Sequence, residues 1–221
     1  MSNLVDTRDE LNQLTSQLIE LGLSDDQNYA IIREVGENRS EVTFEGDSGL
    51  AYVLKNNSYT EIYSEIKRNR DYNVSLPDGG IIQMQYIFQD DEVVKHRLGF
   101  FPSPDLSEFQ NEPEVYMSDL VYAEVVESKV VTTPFRFDFD LEAFVEGDHP
   151  RSHVTIGQYK NCRIPMRSAL SPFRFFEFIL GSFYNTVFRN YRDQITGMDL
   201  LNPQTITDAE SRRVHFSLQC R

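Results

Sequence analysis

Residues 134–140 read PFRFDFD, with Phe135, Phe137 and Phe139 alternating with Arg136, Asp138 and Asp140. A period of two belongs to an extended strand, which sends the three rings to one face of a sheet and the three charges to the other. The ring side needs an apolar layer over it. The charged side is where polar chemistry would collect.

The apolar layer has an obvious source. SPFRFFEFILGSFYNTVFRNYRD, residues 171–193, reads as one long C-terminal helix, with Ser171 as N-cap and Pro172 at the first helical position. Phe175, Phe176, Ile179, Phe183 and Val187 form its stripe, and such a stripe is core rather than a ligand box. At the other end, Leu4, Leu11, Leu14, Leu18 and Leu21 fall at helical spacing and Gly22 stops the helix. Ser24-Asp25-Asp26 can cap a second short helix through Ile31, Ile32 and Val35. EVTFEG and GLAYVL read as strands, and residues 58–70 as a helix opened by a Ser58/Glu61 capping box.

The middle is rich in strands. YNVSL and IIQMQYIF flank the turn PDGG as a hairpin, EVVKHRLGFF is a third strand, and Asp105 to Phe109 make a helical turn. VYAEVVESKVV, SHVTIG, NCRIPM and the tail RRVHFSLQC supply further strands. The reading is a single α+β domain over 1–221: an antiparallel sheet packed against a long C-terminal helix, with N-terminal helices. Residues 1–50 form a helical and strand appendage, and residues 58–193 form the core.

The balance of charge narrows the functions. The chain of 221 residues carries a formal net charge of −14, which disfavours general nucleic-acid binding. The sign is unevenly spread: residues 151–221 hold 10 basic and 5 acidic side chains, and residues 1–150 hold 11 and 30. Arginines that could hold an anion are therefore concentrated in the C-terminal part. No apolar run approaches the roughly 18–20 residues that span a bilayer, the acidic start MSNLVDTRDELNQ is unlike a secretory leader, and Cys162 and Cys220 suggest no disulfide framework. A cytoplasmic protein is expected.

Candidate chemistry centres on DHPRSHVTIGQYKNCRIP, residues 148–165. His149 and His153 would share a face on a helix and could grip a metal, but Pro150 turns the chain away from helix. No metal site and no cofactor is expected. As acid and base the two histidines need an orienting carboxylate, which Asp138 or Asp140 can supply, and a charge stabiliser, for which Arg163 and Arg167 are candidates for anion binding. His96 and Arg97 join this set if their strand pairs with FRFDFD. The alternative is a structural network in which the histidines bond backbone groups. Asp78 in PDGG is a turn residue rather than part of a nuclease motif. Cys162 beside Arg163 is either an activated thiol or an inert one.

The stretches IYSEIKRNRDYNVSLPDGGIIQMQYIF, HRLGFFPSPDLSEF, PFRFDFD, HPRSHVTIGQYKNCRIPM and FRFFEFILGSFYNTVF occur in order from about residue 58 to 190. On these the chain resembles uncharacterised bacterial proteins grouped as domain-of-unknown-function family 2290. The resemblance implies that His96, Arg97, Arg136, Asp138, Asp140, His149, His153 and Arg163 belong together. It also implies a bacterial, cytoplasmic setting, with phage-defence or mobile-element genes as context. It brings no activity and no catalytic residue with it.

Two functions follow. The first is an acidic protein-binding or regulatory partner, whose field steers basic proteins and whose N-terminal amphipathic helix can dock. The second is an enzyme acting on a phosphate-bearing substrate, a nuclease or nucleotide hydrolase, with a His/Arg site. The second requires the polar residues to converge in one concave pocket.

Overall fold

A computed structural model of the chain describes residues 3–45, 57–104, 133–159, 161–198, 200 and 202–218. Helix α1 (Leu4–Glu20) is followed by strands β1 (Asp26–Gln27), β2 (Ala30–Gly36) and β3 (Arg39–Phe44). Helix α2 (Tyr59–Asn69) precedes β4 (Val74–Ser75), β5 (Ile81–Gln89) and β6 (Glu92–Phe101). Strands β7 (Phe135–Asp140), β8 (Ser152–Ile156) and β9 (Ile164–Pro165) follow, then helices α3 (Pro172–Phe183), α4 (Asn185–Tyr191) and α5 (Asp208–Ser211). These strands form one antiparallel sheet in the order β1-β4-β5-β6-β7-β8-β9, with the β2–β3 hairpin joined to the far half of β5. The chain is a mixed α+β protein, as its patterning indicates.

The two faces of the sheet follow from the alternation in β6 and β7. Leu98 pairs with Phe137 and Phe100 with Phe135, so these side chains share one face. That face carries the main core, closed by Leu11, Leu14 and Leu18 of α1 and by Phe175, Phe176 and Ile179 of α3. On the opposite face α2 covers one end, where Ile62 and Ile66 pack with Ile81 and Phe101. Charged residues of β6 and β7 stand on the same face beyond it. Gly99 matters here, because a Cβ at this position would lie 2.5 Å from the Phe101 ring that folds across it.

Several local expectations hold. Ser58 and Glu61 cap α2 reciprocally, and Ser171 accepts from the Arg174 N–H above Pro172. Asp78 sits in the turn between β4 and β5, where Gly79 takes φ +81° and the Leu76 N–H donates to the Gly80 carbonyl.

Others need correction. Residues 30–36 are strand β2, not a second helix: Ile31, Ile32 and Val35 are β-branched, and β2 pairs with β3 from Ala30↔Phe44 onward. The side chain of Asn12 on α1 locks the start of this strand, accepting from the Ala30 N–H at 2.7 Å and donating to its carbonyl at 3.1 Å. The C-terminal helix is not long. It breaks at Tyr184 (φ −131°, ψ 53°) into α3 and α4, and there the Tyr184 hydroxyl turns into the core and donates to the Asp78 carboxylate at 2.7 Å. Nor do the described residues of the tail, 212–218, form a strand: among them only Phe216 makes a bridge, to Met166. The expectations for GLAYVL, for Asp105 to Phe109 and for VYAEVVESKVV lie outside the described residues.

The Tyr184 contact is testable. Tyr184→Phe keeps the ring and removes a bond to a buried carboxylate, so stability should fall by about 1–3 kcal/mol. Urea unfolding measures it. No measurable loss would mean this bond does not stabilise the fold.

Candidate functional site

The part of the charged face beyond α2 is the floor of a cleft of about 640 Å³, within the size range of small-molecule sites. Register decides what stands on that floor. Arg97 on β6 pairs with Asp138 on β7, and Asp138 pairs with His153 on β8, so three polar side chains form a row across three adjacent strands. Arg136 stands two residues from Asp138 on the same face. The start of α2, the segment after β7 and the β8–β9 turn make the walls, contributing Tyr59, His149, Tyr159, Cys162 and Arg163.

Asp138 is the centre of the row. Its Oδ2 accepts from Arg136 Nε at 3.0 Å and its Oδ1 from Arg97 Nε at 3.4 Å. Burial by itself would raise its pKa, and the Arg136 and Arg97 guanidiniums overcome that and hold the carboxyl below its ordinary range. The carboxylate is therefore ionised at neutral pH.

His153 is almost fully buried beside it. Its Nδ1 lies 3.2 Å from the Pro150 carbonyl, a group that can only accept. The hydrogen-bond network thus assigns the proton of the neutral ring to Nδ1. The bare Nε2 is left 3.8 Å from Asp138 Oδ2, another acceptor. Burial lowers the His153 pKa, opposed by the Asp138 charge. A buried base results, with a carboxylate waiting to stabilise its protonated form. The His149 ring meets His153 edge-to-face at 4.9 Å between centroids, and its buried Nδ1 has no hydrogen-bond partner among the described residues.

The remaining candidates divide. Arg163 reaches the cleft from the far wall, where Nη1 lies 3.8 Å from the exposed carboxylate of Asp148. Asp140 lines the cleft edge but is engaged, bonded to Lys95 Nζ at 2.7 Å and to the Glu142 and Ala143 N–H groups. His96 is among the residues that border the cleft, but alternation along β6 sends its side chain to the opposite face. Its ring lies against Tyr86 and Phe139 and its Nε2 accepts from the Leu170 N–H at 3.0 Å, so it is a core histidine. Arg167 is exposed and is not among the residues lining the cleft. Cys162 lines the cleft, with Sγ accepting from the Ile156 N–H at 3.5 Å.

Lys95, Tyr59 and Tyr159 also line the cleft and are not among the candidates that the sequence singles out. Lys95 is legible in the pattern, since it has the same parity as Arg97 on β6. The two tyrosines come from a helix start and a turn, for which no periodicity speaks. Four cationic side chains among the described residues, Lys95, Arg97, Arg136 and Arg163, face two carboxylates, Asp138 and Asp140, in the cleft. Among the described residues no group of three His, Cys, Asp or Glu side chains is placed to hold a metal ion.

This is an α+β sheet protein with a polar cleft on one sheet face. It belongs to the family described as uncharacterized conserved protein, DUF2290, whose model matches residues 23–218. No curated protein and no solved structure matches the chain. No helix among the described residues is long and apolar enough to cross a membrane.

Proposed function

We propose that the cleft is the active site of an enzyme acting on a phosphate-bearing substrate. One observation carries this reading: a cleft with a cationic surplus, floored by the Arg97–Asp138–His153 row, in a chain whose net charge is −14. Such a surplus against the charge of the whole molecule favours an anion. Guanidiniums suit phosphate oxygens because their donors are arranged in a planar fork.

In this reading Arg163, with Arg97 and Arg136, holds the phosphate and stabilises charge developing on it. His153 Nε2 takes a proton from an attacking water, and Asp138 stabilises the imidazolium that forms. The water oxygen bonds to phosphorus, the bond from phosphorus to the leaving oxygen breaks, and that oxygen takes a proton from His149. The test is equilibrium binding of inorganic pyrophosphate. Arg163→Gln removes a cation whose nearest carboxylate is an exposed side chain, so folding should be unaffected and binding should weaken about tenfold, the scale of one charge-assisted bond. If the wild type binds no pyrophosphate at millimolar concentration, the reading is wrong.

The charge count favours a second reading, an acidic domain that binds and regulates another protein. Residues 1–150 carry 30 acidic against 11 basic side chains, a field that attracts basic partners. Its mark would be a partner complex that dissociates with salt and survives Arg163→Gln. The phage-defence or mobile-element setting suits either role.

A further inference from the structure

One side chain at the cleft makes no hydrogen bond or ring pair among the described residues. Tyr159 is 76% exposed, yet it lines the cleft in the turn between β8 and β9. The backbone around it is tied down. Its carbonyl accepts from the Cys162 N–H at 3.1 Å, the Gly157 N–H donates to the Pro134 carbonyl at 2.8 Å, and Gln158 Nε2 donates to the Asn57 carbonyl at 3.0 Å. Gly157 sits at φ +68°, and a Cβ there would touch both Thr133 and the Tyr159 ring at 3.4 Å. A fixed turn therefore holds a bare aromatic face at a cleft whose floor is cationic.

An exposed ring contributes little to stability, and a flat ring is the partner that its face suits best. Bases stack on tyrosine whatever their identity, because each has a π-face. We propose that Tyr159 is the stacking platform for the base of a nucleotide whose phosphate is held by Arg97, Arg136 and Arg163. The inference rests on the anion-site reading and adds the second half of the ligand. The cleft volume of about 640 Å³ has room for one nucleotide unit. The net charge of −14 argues that the unit is free or at a strand end rather than within a long duplex.

The experiment is a calorimetric titration of the full chain with adenosine 5′-monophosphate, uridine 5′-monophosphate, ribose 5-phosphate and a 5′-phosphorylated hexathymidylate. Wild type, Tyr159→Phe and Tyr159→Ala are compared, with thermal melts to show that the exposed substitution leaves the fold intact. Both monophosphates should bind at least about fivefold more tightly than ribose 5-phosphate. Tyr159→Ala should erase that margin while leaving ribose 5-phosphate unchanged, and Tyr159→Phe should keep it. Tighter binding of the hexanucleotide assigns the unit to a strand end, and equal or weaker binding assigns it to the free nucleotide; both uphold the base contact. If ribose 5-phosphate binds as tightly as the nucleotides, or if Tyr159→Ala weakens all ligands equally, the platform is refuted while the anion site stands. If no phosphate-bearing ligand binds the wild type, both fall.

Discussion

Asp138→Asn should separate binding from turnover. The amide keeps the shape of the carboxylate but gives up its charge, so the Arg97 and Arg136 guanidiniums are no longer neutralised by a partner 3.4 and 3.0 Å away. Pyrophosphate should bind as well as before or more tightly. Turnover should collapse, because the imidazolium formed at His153 loses the charge that stabilises it. The tautomer of His153 is held by the Pro150 carbonyl and survives the change, so the loss should be on the order of 10²-fold, the lower end of what general acid–base catalysis contributes. The same variant should lose about 2 kcal/mol of stability, less than a fully buried pair would cost, because both arginines keep partial access to water. Initial rates on bis(4-nitrophenyl) phosphate, paired with pyrophosphate binding, measure the two effects. A variant that loses binding and turnover together would make Asp138 a structural anchor and not a partner of the base.

This expectation depends on which residues share a face, and that is where sequence and structure diverge most usefully. PFRFDFD gives the sidedness of β7 outright, since alternation is a local property. The same alternation in β6 assigns Arg97 and Lys95 to one face and His96 to the other, but which of them meets Asp138 depends on the pairing register. Register is set by contacts far apart in the chain, here Arg97↔Asp138 and Asp138↔His153. Shifting it by one residue would exchange His96 for Arg97 beside the carboxylate. His96 was therefore a reasonable candidate on sequence grounds, and the structure gives it to the core.

The helices show the same division between local and distant causes. The capping box at Ser58 and Glu61 and the Ser171-Pro172 start are written in adjacent residues. The break at Tyr184 is not, because the hydroxyl of that residue bonds Asp78, more than 100 positions away. Residues 30–36 became a strand through pairing with β3 and the Asn12 amide, neither visible in their own helix-like spacing. His149, His153 and Arg163 come from one quoted stretch, so their nearness in the cleft is partly built in. Tyr159 lies within that stretch too, but an exposed turn residue carries no pattern to mark it.

The buried histidine on the core face predicts a second large effect, a loss of stability in mild acid. His96 is surrounded by Tyr86, Phe139 and the Leu170 backbone, and burial pushes its pKa from 6.5 down to about 4, against the pull of the Asp138 charge and with a small push from His153. The folded chain refuses a proton that the unfolded chain accepts. Stability therefore rises with pH between about 4 and 6.5, and its full value is lost as pH falls through that window. At 1.36 kcal/mol per pH unit the loss by pH 4 is roughly 3 kcal/mol. His153 is shifted in the same direction and adds to the slope. Asp138 and Asp140, whose folded pKa values are lowered, add theirs as pH falls further. Urea unfolding between pH 4 and 7.5 measures the whole curve. His96→Gln keeps an acceptor for the Leu170 N–H but cannot titrate, so its curve should be clearly flatter from 6.5 to 4 and unchanged in shape below. An identical slope in the variant would transfer the acid sensitivity from the core to the cleft, and with it the role of His153 as the main proton-sensitive group of the fold.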